Sequence, residues 1–232
     1  ALAGLALLSA LPLSVAQALQ VRGEDWSASL DTTLSYGVSY RMEARDAKLI
    51  AKANGGRGDN SALINSDDGD LNFSKHDLFS EVLKGVTELD LRYRDQYGMF
   101  IRGKAFYDFL LEDKTLPHRQ ISQSGLNQAG SSADILDAFV YGSWEVDERA
   151  LNARLGKQMI NWGESLFYQN GIGATNPVDN NALRAPGSEI KEAYVPTAML
   201  YGSLELRDNL SVEGYWQPGW AWEKSKIDPC GT

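Results

Sequence analysis

Charges of both signs recur at alternate positions, interrupted only by Phe106, in two neighbouring stretches of the chain. Glu88, Asp90 and Arg92 alternate with Leu89 and Leu91, and Arg102, Lys104 and Asp108 continue the pattern. In an extended chain such residues share one face. A face of carboxylates, guanidinium and ammonium groups can brace itself with ion pairs. It can also line a polar passage and select by charge what crosses. Asp137, Arg154, Glu164, Asp179 and Arg184 extend this set of candidates along the chain.

Other chemistry finds less support. Asp67, Asp68 and Asp70 surround Gly69 with the spacing of oxygen ligands for a hard cation. Counted from Asp67, position 12 of such a loop is Leu78 rather than Glu, so a turn is expected here and a metal site is not. His76 and His118 stand apart, without metal-ligand spacing. Arg57-Gly58-Asp59 reads as flexible loop composition. No nucleophile elbow, phosphate loop or dinucleotide fingerprint is present, so neither an enzyme nor a cofactor is expected.

The elements that would position these charges read as strands. The stretch WSASLDTTLSYGVSYR, Trp26 to Arg41, alternates apolar and polar residues almost throughout. Further period-2 runs are expected over Asp77–Arg94, Tyr97–Leu111, Asp134–Val146, Leu151–Asn161, Val195–Leu206 and Leu210–Trp216, seven strands in all. Along Asp134–Val146 the apolar set is Leu136, Ala138, Val140, Gly142, Trp144 and Val146. Short polar turns at Asp95-Gln96, Asp147–Arg149 and Arg207–Asn209 alternate with long links at about 42–76, 112–133 and 162–194. Tight turns on one side and long loops on the other are the pattern of an antiparallel up-and-down transmembrane β-barrel. In that arrangement the turns are periplasmic and the long loops face outward.

Ring positions agree. Trp26, Tyr93, Tyr97 and Trp144 fall at the short-turn ends, and Tyr36, Tyr40 and Tyr107 at the long-loop ends. Two bands of rings suit the two membrane interfaces. The remaining long segment, 162–194, exceeds an ordinary connection and is expected to fold into the lumen, carrying Glu164, Asp179 and Arg184 with it.

The bulk numbers allow this fold. The chain has 232 residues, 43% of them hydrophobic, with a formal charge of −9. The acidic balance disfavours nucleic acid as a partner. The one cysteine, Cys230, excludes an internal disulfide. Residues 1–18, ALAGLALLSALPLSVAQA, read as the apolar core and cleavage site of a secretory signal peptide lacking its Met and basic start. The reading divides the chain into a leader remnant, 1–18, and the N-terminal part of one barrel domain, 19–232. Seven strands is an odd number, so the chain is expected to stop in mid-barrel. The strand at Trp26 is then expected to find one neighbour among strands beyond the chain.

Several segments resemble the DUF1302 family of uncharacterised proteobacterial outer-membrane proteins. They are DDGDLNFSKHDLFS (Asp67 to Ser80), ELDLRYRDQYGMFIRGKAFYDF (Glu88 to Phe109), LDAFVYG (Leu136 to Gly142), LGKQMINWGES (Leu155 to Ser165), NPVDNNALRAPGSEIKEA (Asn176 to Ala193) and IDPCGT (Ile227 to Thr232). The resemblance implies outer-membrane lipid as surroundings. It also implies a DUF1329-type periplasmic partner and an RND-type exporter, and hence movement of apolar or lipid-like material. It carries no catalytic residues. The expected function is a porin-like channel or envelope transport component of a Gram-negative outer membrane. The alternative is a surface binding or adhesion protein using the long loops.

Overall fold

The computed structural model describes residues 13–59, 64, 66–162, 176–179, 182, 185–188 and 190–219. Its frame is one sheet of eight antiparallel strands, each hydrogen-bonded to the next in chain order. They are β1 (Leu13–Arg22), β2 (Trp26–Tyr40), β3 (Leu78–Tyr93), β4 (Tyr97–Asp108), β5 (Ser131–Val146), β6 (Arg149–Gln158), β7 (Thr197–Arg207) and β8 (Leu210–Trp216). The up-and-down order leaves β1 and β8 unpaired with each other, the form of a partial barrel wall. No described helix is long and apolar enough to cross a membrane.

Four tight turns lie at one end and three long links at the other. In the β3–β4 turn Arg94 and Asp95 take positive φ, and Asp147 and Glu148 do the same between β5 and β6. Turns of that handedness match the right-handed twist of the strands they join. Short helices sit in the links: α1 (Asp68–Asn72), α2 (Phe109–Asp113), α3 (Gln123–Gly125) and α4 (Ile190–Ala193).

Burial is inverted across the sheet. On one face Lys84, Arg102, Lys104 and Asp137 are each less than a tenth exposed. On the other, Leu34 is 52% exposed, Val140 51%, Leu155 59% and Trp216 65%. We call these the charged face and the apolar face. A water-soluble sheet arranges the two the other way round.

Three features depart from the reading of the sequence. Among the described residues there are eight strands, because Leu13–Arg22 forms β1 and supplies β2 with the neighbour that was sought beyond the chain. Its register sets Leu19 against Leu30 and Val21 against Ala28, continuing the apolar face. The third expected strand stops at Asp108 instead of Leu111. The Asp108 carboxylate accepts from the N–H groups of Leu110 (3.0 Å) and Leu111 (3.1 Å), which caps α2 and turns the chain out of the sheet.

The apolar parity of β5 also breaks. The β4–β5 register slips between Arg102 and Gly103, so that Asp137 faces Arg102 while Ile135 faces Gly103. The extra residue, Leu136, turns to the charged side and is 9% exposed, whereas Ile135 emerges on the apolar side at 57%. One bulge residue reverses the faces of everything before it. Lys157 reaches across from β6 and donates to the Ile135 carbonyl beside the bulge.

Candidate functional site

The charged face is crossed by a strap from the β6–β7 link. At its base the two legs are tied together. Val178 and Tyr194 form an antiparallel bridge, the Asp179 N–H donates to Ala193 O at 2.6 Å, and Val195 N–H donates to Pro177 O at 2.8 Å. Asn176 clamps this base to the sheet. Its Oδ1 accepts from the Ile160 N–H at 3.1 Å, and its Nδ2 reaches the Gln158 and Val195 carbonyls.

From that base the strap reaches strands at the far side of the sheet. Lys84 of β3 donates to Gly187 O at 2.7 Å and pairs with Glu192 of α4 at 2.6 Å. Lys104 of β4 approaches the other carboxylate oxygen of Glu192 at 3.9 Å. Pro186 rests on Gly37 of β2, where an added Cβ would lie 2.8 Å from the proline Cβ. Only glycine leaves room for that approach.

The wall beneath is braced strand to strand. Arg102 pairs with Asp137 of β5, its Nε donating at 2.7 Å, and faces Glu88 of β3 at 3.7 Å. Asp90 accepts from the Tyr141 hydroxyl at 2.9 Å and from Arg92 at 2.7 Å. Asp108 accepts from Ser80 Oγ at 2.6 Å besides capping α2. These cations and carboxylates hold their charges in pairs.

Residues 1–232 match the family model described as "Protein of unknown function (DUF1302)". The chain belongs to this family. No curated protein and no solved structure matches it.

In this DUF1302 chain the candidates sort by position. Glu88, Asp90, Arg92, Arg102, Lys104, Asp137 and Arg154 all lie on the charged face. Asp179 stands at the strap base, where its carboxylate accepts from the Ala182 N–H at 3.1 Å. Glu164 and Arg184 lie outside the described residues. Arg154 differs from Lys84, Arg92, Arg102 and Lys104, which face carboxylates. Its guanidinium carbon stands 4.2 Å from the centre of the Tyr201 ring and 5.9 Å from that of Phe139.

The ring candidates all fall on the apolar face. Trp26 is opposite Tyr93, and Tyr93 is opposite Tyr97. Trp144 meets Tyr97 edge-on at 5.9 Å and donates from Nε1 to its hydroxyl. Toward the loop end, Tyr36 and Tyr107 flank Leu83, and Tyr40 closes β2.

The three aspartates near Gly69 diverge. Asp67 is fully buried and accepts from the Ala51 N–H and the Asn54 amide. Asp68 faces His118 and Arg119. Asp70 pairs with Arg41. Among the described residues no cluster of three or more acidic, His or Cys side chains could hold a metal. Burial pushes the Asp67 carboxyl up, but the Asn54 and Ala51 hydrogen bonds outweigh it and hold it below the usual carboxylate value. Asn72 joins the first two long links, its Oδ1 accepting from the N–H groups of His118 and Arg119.

Sequence reasoning missed Lys84, Glu192, Gly37 and Pro186. Lys84 shares the period-2 parity of Glu88 and Arg92, so its face was readable. Its partner lies in a link with no period of its own.

Proposed function

We propose that this chain builds part of the wall of an outer-membrane β-barrel whose passage is narrowed by the strap, and that it serves transport rather than catalysis. The inverted burial carries this reading. Exposed apolar side chains stand on one face of all eight strands, while lysine, arginine and aspartate are buried on the other. An apolar surface of that extent is tolerated against lipid and not against water.

The ring positions support the same reading with a length. Trp26 and Tyr36 are ten residues apart on β2, as are Tyr97 and Tyr107 on β4. Ten residues of strand span ~33 Å, and a tilt of about 40° reduces that to ~25 Å, the height of a barrel's apolar band. The turn end is then periplasmic, the side from which an RND-type exporter or a DUF1329-type protein would engage. Export itself is part of the proposal. Cleavage after Ala18 would leave Leu19–Arg22 of β1 paired with β2.

The strap makes the barrel selective. A segment held across the charged face by a buried carboxylate between two lysines leaves less room than the bare wall. Fractionation tests the membrane part directly. The protein should sediment with outer membranes and migrate faster on gels before boiling than after. Recovery in the periplasmic or cytoplasmic fraction would overturn the reading.

A further inference from the structure

Four residues stand opposite one another across four strands of the charged face. They are Tyr141 of β5, Arg154 of β6, Tyr201 of β7 and Tyr215 of β8. Phe139 flanks the row, its ring 6.2 Å from Tyr141 and 5.4 Å from Phe100. Trp162 ends it, 5.3 Å from Tyr215, with its Nε1 donating to Glu213 at 2.9 Å.

Arg154 lies in the middle of these rings. Lys84, Lys104, Arg92 and Arg102 each face a carboxylate. Among the described residues the contacts of the Arg154 guanidinium are the Tyr201 and Phe139 rings. A guanidinium over a ring keeps its N–H groups at its edges, where a carboxylate can be held by two parallel hydrogen bonds. The residues around it form a cleft of about 350 Å³, lined by Phe139, Tyr141, Asn152, Arg154, Tyr201 and Ser203. That size suits a small ligand. Asn152 accepts from Ser143 Oγ at 2.7 Å and donates to Ser203 Oγ at 3.3 Å, which gives the cleft a polar floor.

We infer that this cleft is a binding subsite for small organic anions with a flat apolar body and a carboxylate, the body lying against the rings and the carboxylate on Arg154. The inference names a substrate class for the proposed passage and rests on that reading. The wall supplies what each half of such a molecule lacks in water. The rings cover its apolar plane, and a cation with no carboxylate partner among the described residues takes its charge. A cation would be repelled by Arg154, and a neutral sugar brings it no charge.

The test titrates the whole protein in detergent with 2-naphthoate and with naphthalene-2-carboxamide, using calorimetry. Naphthoate should bind more tightly than the amide by about tenfold, the weight of one charge-assisted hydrogen-bonded pair. Arg154→Gln should abolish that preference while gel migration before boiling stays native. Tyr201→Leu should weaken both probes and keep the preference. Equal binding of the two probes by the native protein, or naphthoate binding unchanged in Arg154→Gln, would overturn the subsite. Current across a bilayer is scored separately. A current without carboxylate preference removes the subsite and leaves the passage. Preference without any current removes the passage.

Discussion

Lys84 and Glu192 lie 108 residues apart in sequence and meet at 2.6 Å on the charged face, where their side chains are 8% and 3% exposed. Lys104 closes a triad on the same carboxylate. The pair is therefore the lock of the strap. Removing one member of a buried pair leaves the other charge without compensation, at about 3–5 kcal/mol. Glu192→Gln should free the strap without disturbing the ladders of the sheet. Limited proteolysis from the loop side should then cut within 176–196 at least several-fold faster than in the native protein. Equal cutting rates would show that the pair does not hold the strap.

Gly37 offers a second route to the same outcome. Gly37→Val places carbon where Pro186 now rests. The β-branched residue suits a strand, so β2 should keep its pairing. Heat-modifiable migration should be native while proteolysis of the strap rises. A native cutting rate would mean that Pro186 does not depend on that space.

Arg102 behaves differently. It stands between Asp137 and Glu88, 11% exposed in its side chain, as a brace of β3, β4 and β5. Arg102→Ala leaves Asp137 buried without its partner and should cost about 3–5 kcal/mol of wall stability. The urea concentration that destroys the fast-migrating form should fall accordingly. An unchanged midpoint would return Arg102 to the role of a free lining charge.

Asp67 gives the long β2–β3 link a pH dependence. Its folded carboxyl titrates below the ordinary value of 3.8, so its contribution is complete above that value and is lost as the pH falls through the lower folded one. Amide-exchange protection at Ala51 should stay flat from neutrality to about pH 4 and drop below it. Asp67→Asn should remove that step. A step that persists in Asp67→Asn would assign it to another group.

Seven of the eight strands were legible because a strand facing different media on its two sides must alternate, and β2 alternates over nearly its whole length. The tight turns were legible for the same local reason. β1 was not. Its first residues fall in an apolar run that also fits a leader, and period 2 is faint beside continuous hydrophobicity. Leu136 was placed on the wrong face because one bulge residue shifts parity without changing composition. Asp108 counted as a lining charge because its period continued from Lys104, while its role as a cap depends on where the strand stops. The charged face was readable residue by residue. Which charges meet was not, since Lys84 and Glu192 find each other only through the path of the strap. Arg154 was visible as a charge, and its separation from every carboxylate among the described residues emerged only from the register of β5, β6 and β7.

A membrane passage narrowed by a strap that Glu192 locks must conduct differently once the lock is removed. Single-channel current across a planar bilayer tests it most directly, comparing the whole native protein with Glu192→Gln. The native conductance should be small, and in the variant it should rise several-fold and turn toward anions, because Lys84 and Lys104 lose the Glu192 carboxylate. No current from either protein, or the same conductance and selectivity from both, would contradict it.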